Sequence, residues 1–503
     1  MIAGLTVSYK YFGGGGNNNT RIISLTNLLF QSPSSQRKQL TFDNGTQVTI
    51  GEQIAEGGFS YVFEAFPATS SSSTKKRYAL KRINCADQEL LQSCRHEAGI
   101  HRSLPSNKHP NLLELLGLKF EQDLTSSSGS SSVGSSLIPE EYNVCYMLFP
   151  YLPNSLRGEI TNRNILNQDN PSDGNNNHYR YNNTQRRQRQ PFTTVEVMHL
   201  FRGILDALLA MHNANISHRD VKLENVLLSS SSLSTTTTSY ADHHHNHRRS
   251  SKYTPILMDY GSAGPLTTPP LTTRHSILNL IEVASTHTTF SYRPPELSDV
   301  GNLRPSSSNI NNSSCIVDYG KVDVWSLGCV LFGLLHGASP FEMEFVKNDY
   351  GYGYGRRNNG GGREVEDQEQ YGLVRIVECT TLKILGEVPF PPWVGSGLGG
   401  NTTNNTNINN VGDGSNGKYP LSIYKFIRYM VQHDRMLRPN IYEVAKRFGE
   451  LHYELLGEEW IPYSSSNLDG GSGRSMSSLK DGSEEEEREH DDFDSLIASR
   501  DFV

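Results

Sequence analysis

One short polar segment, His218-Arg-Asp-Val-Lys-Leu-Glu-Asn225, constrains the fold of this chain more than any other stretch. The segment ends in the strand-like stretch Asn225-Val-Leu-Leu228, so the polar residues before that stretch are predicted to be a loop. It carries a carboxylate at Asp220, an amine at Lys222 and a carboxamide at Asn225. Phosphoryl transfer uses such a set: an acceptor for the proton of the attacking hydroxyl, a cation against phosphate charge and an oxygen ligand for magnesium. The remaining parts of such a site are expected elsewhere in the chain.

A glycine turn and two charged residues stand out before this loop. Gly57 and Gly58 separate two short apolar stretches, and a turn of this kind lets backbone amides approach phosphates. An ordinary hairpin explains these glycines equally well. Lys81 follows on an alternating strand, and Glu97 falls in a helical segment, residues 87–104. Because a buried lysine needs a partner to keep its charge, the pair predicts a clamp on the α- and β-phosphates, although most strand lysines are simply solvated.

Two further segments have the chemistry of a nucleotide and metal site. A predicted buried strand, residues 144–149, runs into a connector in which Pro150 keeps its carbonyl and Leu152 its amide, an acceptor and a donor for an adenine edge. A turn that merely exposes prolines is the alternative. Farther on, another predicted strand ends in Asp259, two residues before Gly261. Asp259 is the natural second magnesium ligand, and Gly261 permits a sharp turn after it.

Helical periodicity marks much of the chain after residue 190. Thr193 to Glu196 matches a capping box ahead of a strongly apolar helix that leads to the polar loop. Asp323 is a conspicuous charge in another apolar helix, and we expect it to anchor that loop by accepting backbone N–H groups. Apolar residues recur at helical spacing in four more segments: residues 277–284, 371–385, 423–430 and 441–455.

Charge and cysteine usage exclude several functions. The net charge is -7, and the basic cluster 186–189 and the histidine cluster 243–247 are interpreted as solvated loop, so no nucleic-acid partner is expected. The six cysteines are scattered without a CxxC pair, which predicts free thiols in a reducing compartment. No run of 18 apolar residues occurs, so no transmembrane segment is expected. We therefore expect a cytoplasmic protein.

Polar low-complexity tracts interrupt the chain repeatedly. Residues 1–39 and the acidic tail 464–503 are predicted to be disordered. The same prediction applies to inserts rich in Ser, Asn, Gly or Thr, at 121–141, 161–190, 229–254, 302–314, 348–364 and 396–418. The remaining residues suit one domain of two lobes, an N-terminal lobe over residues 40–152 and a C-terminal lobe over residues 153–463.

The motifs follow a familiar order. They run as a glycine turn, a strand lysine, a helix glutamate, a connector, HRDxKxxN, DYG, RPPE and DVWSLG. The chain resembles a eukaryotic protein kinase over roughly residues 45–455. It is most similar to the Numb-associated kinase family, in its branch of myristoylated and palmitoylated kinases, through the stretches 56–62, 78–83, 96–102, 258–262, 290–296 and 323–329. The resemblance implies an α+β, bilobal kinase fold, with a small antiparallel β lobe, a larger, mainly α-helical lobe and a helix inside the activation segment.

The resemblance also implies a chemistry, the transfer of the γ-phosphate of ATP to serine or threonine hydroxyls of a protein substrate with Mg²⁺ as cofactor. Asp220 is then the catalytic base, Lys222 contacts the γ-phosphate, and Asn225 and Asp259 hold magnesium. The residues implied to surround the nucleotide are Ile54, Gly57, Gly58, Ser60, Val62, Ala79, Lys81, Glu97, Pro150 and Leu152. Lys81 counts among the catalytic residues as well, because it orients the phosphates.

The segment between the DYG and RPPE motifs is implied to bind the substrate. Thr289 would lie beside Asp220 and Lys222, and Glu296 would pair with Arg438. Two explanations of its order stay open. Arg219 can pair with a phosphorylated residue of the segment, or the helix within the segment can be ordered by its own packing. The candidate phosphorylation sites are Ser285, Thr286 and Thr288.

Several residues depart from the kinase pattern. Ala55 and Ser60 replace the first and third glycines of the phosphate loop, and Tyr260 replaces the phenylalanine after the metal-binding aspartate. A buried Tyr260 hydroxyl must find a partner, which would bias the position of this loop. Ile2 stands where N-myristoylation needs a glycine, so the lipid anchor of the branch is not supported.

Two other functions are weighed against an active enzyme. The departures at Ala55 and Tyr260 motivate a kinase-fold scaffold with little catalysis, a pseudokinase. Residues 492–497 fit an acidic dileucine pattern, which with the family resemblance suggests trafficking adaptors as partners and peripheral association with Golgi or vesicle membranes. Short patterns of this kind also arise by chance in acidic tails.

Overall fold

The computed structural model describes residues 38–57, 60–68, 76–106, 109–122, 143–165, 190–230, 253–299, 315–347, 371–391, 394 and 419–463. Within these residues the chain forms a small lobe built on one β-sheet and a larger lobe built mainly of helices. The predicted α+β, two-lobed fold class is therefore confirmed.

The small lobe is a six-stranded antiparallel sheet. Its strands are β1 Gln39–Thr41, β2 Gln47–Glu56, β3 Ser60–Pro67, β4 Tyr78–Asn84, β5 Gly117–Glu121 and β6 Val144–Pro150, and they lie in the order β1-β2-β3-β4-β6-β5. Thr41 pairs with Gln47 across the first turn. Gly45 in that turn has a φ of 81°, which glycine adopts freely because it has no Cβ. The hairpin predicted from the Asp-Asn-Gly sequence is confirmed.

One helix, α1 Gln88–Ser103, packs against the small-lobe sheet. Asp87 caps it, because its side chain accepts a hydrogen bond from the Leu90 N–H at 2.8 Å. The buried face of α1, with Leu91 and Cys94, joins an apolar cluster with Met147 of β6. Because this face is buried, the side of α1 that carries Leu91 and Cys94 points toward the sheet.

The larger lobe contains the other α-helices of the described residues. They are α2 Leu156–Asn162, α3 Thr194–Asn213, α4 Arg274–His287, α5 Tyr319–His336, α6 Thr381–Leu385, α7 Leu421–Met430 and α8 Ile441–Leu456. The capping box predicted at the start of α3 is present between Thr193 and Glu196. Helix α5 is buried along its whole length apart from Lys321, and it forms the centre of the lobe together with α3, α7 and α8.

Short strands flank the polar loop, residues 218–225. They are β7 Asn154–Ser155, β8 Ile216–Ser217, β9 Val226–Ser230, β10 Tyr253–Leu257 and β11 Gly264–Pro265. Residues 218–225 connect β8, which pairs with β11, to β9, which pairs with β10. The predicted loop is thus fixed at both ends by strand pairing.

Helix α4 lies in the segment that was predicted to contain a helix. Thr273 caps it by accepting a hydrogen bond from the Ser276 N–H. Leu280 and Ala284 are buried against Val317 and other residues that precede and begin α5. The helical periodicity of residues 277–284 is therefore confirmed, and the helix packs on the larger lobe.

One prediction of secondary structure was wrong. Residues 371–385 were expected to be helical, but Tyr371–Ile376 forms strand β13, paired with β12 Met343–Lys347, and only α6 is helical. The partner strand lies on the far side of an insert, so a local periodicity argument did not detect it. Described elements also extend a few residues into three predicted inserts, at Glu121, at 161–165 and at both ends of 229–254.

Two further expectations concern the chain as a whole. All six cysteines are free, as their spacing predicts. Among the described residues, no helix is both long enough and apolar enough to cross a membrane.

Candidate active site

Three polar side chains meet at the end of the loop 218–225. The Lys222 Nζ lies 2.7 Å from Asp220 Oδ2 and donates to the Thr289 hydroxyl at 2.8 Å. The Thr289 hydroxyl and backbone N–H both donate to Asp220 Oδ1, at 2.7 and 3.0 Å. The carboxylate of Asp220, 13% exposed, is thus held by charge and hydrogen bonds but still reaches the surface. The structure brings these predicted residues together.

Asp323 anchors the backbone of the same loop. Its Oδ2 accepts hydrogen bonds from the His218 N–H at 2.8 Å and from His212 at 2.9 Å, and its Oδ1 accepts from the Arg219 N–H at 2.7 Å. Asp323 itself is fully buried. Arg219 has a positive φ of 67°, so these bonds support a backbone conformation that a non-glycine residue adopts at a cost. Asp323 therefore accepts backbone N–H groups of this loop, as predicted.

Asn225 lies directly before β9 and Asp259 two residues after β10, at the end of the strand pair where Val226 faces Leu257. Asn225 donates its amide hydrogens to the backbone oxygen and Oδ2 of Asp220, at 2.9 and 3.2 Å, which leaves its Oδ1 free to act as a ligand. Burial raises the pKa of Asp259, and the carboxylates of Glu97 and Asp220 add to that rise while Lys81 opposes it. The Asp259 carboxylate and the Asn225 amide oxygen supply oxygen ligands of the kind that a hard divalent cation prefers. The residues present therefore fit magnesium.

Lys81 on β4 and Glu97 on α1 form a buried ion pair. The Lys81 Nζ lies 2.7 and 2.9 Å from the two carboxylate oxygens, and the side chains are 13% and 8% exposed. Burial alone lowers the pKa of Lys81, but the carboxylates of Glu97 and Asp259 outweigh it and raise the pKa above its usual value. The amine therefore stays charged, as a phosphate clamp requires.

The apolar wall beside this pair comes from both lobes. Ala79 of β4 and Leu152 of the connector pack on a cluster that includes Phe149. The same cluster contains Leu227 of β9, although the flanking Val226 and Leu228 belong to the core of the larger lobe. Leu227 was not singled out from the sequence. Side chains alternate between the two faces of a strand, and Leu227 lies on β9, two residues after Asn225. This alternation is the sequence signal that would have identified Leu227.

The glycine turn is described only in part. Ile54 is 38% exposed on β2, and Val62 lies on the neighbouring strand β3. The Gly57 N–H donates to the Ser60 carbonyl at 2.7 Å and so joins the two ends of the turn. Gly58 lies outside the described residues. Ser60 is fully buried, and its hydroxyl has no hydrogen-bond partner among the described residues. Pro150, predicted to face the base, is the last residue of β6, and Tyr78 is its strand partner.

Residues of the activation segment are held by the segment itself. The Ser285 and Thr286 hydroxyls donate to the carbonyls of Glu282 and Val283, at 2.6 and 2.8 Å. Arg293 was not singled out from the sequence. Its guanidinium donates to the hydroxyl and the carbonyl of Thr288, at 2.7 and 2.8 Å. It therefore fixes the backbone directly before Thr289.

Arg219, the proposed receptor for a phosphate, already has other partners. Its guanidinium donates to the Ser217 hydroxyl at 3.1 Å and to the Pro265 carbonyl at 2.7 Å. It also lies over the ring of Tyr319, 3.9 Å from the centroid. None of these contacts of Arg219 involves Ser285, Thr286 or Thr288.

The fold and this site define a protein kinase. Residues 48–447 match the family described as the protein kinase domain, so the chain belongs to that family, and the predicted enzyme class is confirmed. Among similar proteins is serine/threonine-protein kinase 16 of Homo sapiens, 28% identical over 313 residues, which are 62% of this chain and 77% of that protein. The Rattus norvegicus protein of the same name is 27% identical over the same shares.

A longer relative is also found. A probable serine/threonine-protein kinase of Dictyostelium discoideum is 30% identical over 293 residues, 58% of this chain and 19% of the relative. This chain therefore spans only a small part of the length of that protein.

Proposed function

We propose that this protein is a serine/threonine protein kinase that transfers the γ-phosphate of ATP to a hydroxyl of a protein substrate. The observation that carries the proposal is the contact of Asp220, Lys222 and Thr289, with all distances between 2.7 and 3.0 Å. A carboxylate that is both exposed and oriented from two sides is placed to accept a proton. Membership of the family implies ATP as the phosphate donor, and the relatives are named as serine/threonine kinases.

The chemistry follows from the charges of the three groups. Asp220 accepts the proton of the attacking hydroxyl, and the Thr289 N–H and hydroxyl fix the carboxylate that does so. Lys222 lies beside the same carboxylate and neutralises charge on the phosphoryl group in transit. Magnesium held by Asn225 and Asp259 would screen the phosphate oxygens when bound.

Nucleotide binding is assigned to the cleft between the lobes. Lys81, oriented by Glu97, would hold the α- and β-phosphates. Ala79 of the small lobe packs against the apolar cluster that contains Leu227 of β9, and the two side chains would contact the base. The connector at Pro150 and Leu152 would supply the polar contacts to the adenine edge.

The decisive experiment measures ATP-dependent phosphate transfer to a generic protein substrate. We expect Asp220→Asn to lower kcat by at least about 100-fold, because a general base contributes a factor of this order. Asp206→Asn, the same change at a buried site on α3 outside the cleft, is the matched control and should keep the activity. Wild-type protein as inert as Asp220→Asn would overturn the proposal.

The same proteins test the scaffold alternative. Saturating Mg-ATP should stabilise the wild-type protein by about 2.7 kcal/mol at a hundred times Kd. An inert protein without this thermal shift would be the pseudokinase scaffold. Ala55, one of the departures behind that alternative, is buried within the β2–β3 ladder opposite Val62, directly after a shift in register between Gln53 and Ala55. The paired strands therefore accommodate an alanine at this position.

We also propose that the chain belongs to the Numb-associated kinases, in the branch of myristoylated and palmitoylated kinases. Helix α4 within the activation segment and the similarity to serine/threonine-protein kinase 16 support this placement. Adaptor binding through residues 492–497 is the trafficking role that would follow, and this motif lies outside the described residues. Unchanged localisation after deletion of 464–503 would count against it.

A further inference from the structure

Tyr260, the residue after the metal-binding Asp259, is completely buried between the two lobes. Its hydroxyl donates to the carbonyl of Leu257, the last residue of β10, at 3.0 Å. The same hydroxyl accepts a hydrogen bond from the N–H of Leu113 at 3.1 Å. Leu113 lies in the small-lobe connection between α1 and β5, so one hydroxyl links that connection to the end of β10, two residues before Asp259.

The ring of Tyr260 is held on two sides. It packs against His101 of α1, with 4.6 Å between ring centroids, and edge-on against His218 of the catalytic loop at 5.7 Å. Burial lowers the pKa of His101 to about 3, with a further contribution from Lys81, so this imidazole is neutral at physiological pH. The ring thus connects α1, which carries Glu97, to the loop that carries Asp220.

Asp259 itself has a backbone conformation that needs support. Its φ of 69° and ψ of 76° lie in the left-handed region, which L-residues adopt at a cost in free energy. The chain is held on the N-terminal side by the Met258 N–H, which donates to the Asn225 carbonyl at 3.0 Å. On the C-terminal side the first residue is Tyr260, fixed by its ring and its hydroxyl. Tyr260 is therefore in position to maintain the conformation of Asp259.

We propose that the Tyr260 hydroxyl is a positioning group that keeps Asp259 in the geometry needed to bind a divalent cation. This inference rests on the proposed function, because it concerns the metal ligand of the same site. A phenylalanine at this position would keep the ring contacts but lose the bond to Leu257. It would also lose the acceptor for Leu113. Without the hydroxyl, the strained conformation of Asp259 becomes less populated, and more cation is needed to select it.

Removal of the hydroxyl leaves no backbone group of this contact without a partner. The Leu113 N–H also donates directly to the Leu257 carbonyl at 3.0 Å, so neither backbone group loses its last partner in a Tyr260→Phe variant. A matched control exists at Tyr419, another buried tyrosine, whose hydroxyl donates to the Phe192 carbonyl at 2.8 Å. Tyr419→Phe removes an equivalent bond in the larger lobe, away from Asp259.

The experiment is a Mg²⁺ titration of thermal stability at a saturating concentration of a non-hydrolysable ATP analogue, on the full chain. We expect Tyr260→Phe to raise the Mg²⁺ concentration for half of the thermal shift by about three- to tenfold, the range of one lost hydrogen bond. Tyr419→Phe should leave it unchanged. In the phosphate-transfer assay, the Mg²⁺ concentration for half-maximal rate should rise by the same factor, with kcat recovered at saturating Mg²⁺.

A merely structural role predicts a different result. Tyr260→Phe would then lower the melting temperature or kcat with the Mg²⁺ half-saturation unchanged, and that outcome, like no change at all, overturns the proposal. Tyr260→Leu, which also removes the ring, should shift the half-saturation at least as far. Since the titration does not depend on catalysis, wild-type protein that binds Mg²⁺ and the analogue but transfers no phosphate would contradict the proposed function alone.

Discussion

Glu296 and Arg438 form a two-point ion pair inside the larger lobe, with N–O distances of 2.6 and 3.0 Å. Both side chains are almost fully buried, at 3% and 0% exposure. Arg438 also donates to the carbonyls of Gln432 and Lys321, at 3.0 and 3.3 Å. The pair therefore connects the RPPE motif to the loop before α8, and the kinase resemblance implied this pairing.

Breaking this pair should destabilise the protein strongly. Arg438→Met leaves the carboxylate of Glu296 buried without a partner, and we expect the free energy of unfolding to fall by about 3–5 kcal/mol in urea titrations. Arg447→Met, which breaks an exposed pair with Glu450, is the control and should cost less than about 1 kcal/mol. Equal losses in the two variants would contradict the buried character of the first pair.

Asp323 should affect turnover more than nucleotide binding. In Asp323→Asn, the carboxamide presents N–H groups to backbone N–H donors of His218 or Arg219, so the loop moves away from its position. We expect kcat to fall by about 10- to 100-fold, since displacements near 1 Å have effects of this order. Steady-state kinetics should show a smaller change in KM for ATP. Asp318→Asn, at the cap of α5, is the control, and a wild-type kcat in Asp323→Asn would rule out the anchoring role.

Asp206 should lower the free energy of unfolding as the pH rises, because its pKa is higher in the folded state than in the unfolded state. Burial raises its pKa to about 6, against a partial opposing effect of the Tyr463 N–H. Between about pH 4 and pH 6 the folded state binds more protons than the unfolded state, so this group lowers stability as the pH rises. We expect Asp206→Asn to be more stable than wild type by about 1–3 kcal/mol at pH 7.5, and no more stable near pH 4. Urea unfolding at several pH values measures the difference, and a pH-independent difference would refute it.

The activation segment should not need phosphorylation at its exposed hydroxyls. Ser285 and Thr286 bond to their own helix, and Arg219 is occupied by Pro265 and Ser217. We therefore expect the double variant Ser285→Ala/Thr286→Ala to keep its activity within about twofold, as surface changes usually do.

Packing of α4 should matter far more than these hydroxyls. Ala284→Asp buries a charge on the packed face of α4 and should lower activity by more than about tenfold.

Mass spectrometry of the active protein should find Ser285 and Thr286 unmodified. Tenfold lower activity in the alanine double variant would instead show that the segment depends on their modification.

Much of the site was predictable because its parts are local in the chain. Asp220, Lys222 and Asn225 lie within six residues, and the chemistry of each side chain is independent of the fold. The same holds for the capping box at Thr193, because a cap is satisfied within one turn of helix. Helices α3, α4, α7 and α8 carry clear apolar periodicity, so their existence also followed from the sequence.

The sequence by itself therefore determined the chemistry of the site, the buried helices and the two-lobed fold, because these depend on residue types at short spacing. Only the tertiary structure decided which distant groups meet. The strand at 371–376, the orientation of Leu227 and the partners of Arg219 all follow from contacts outside their own segments. Tyr260 shows the reason most clearly: its hydroxyl meets the N–H of Leu113, 147 positions away in the chain, and no local pattern encodes such a contact.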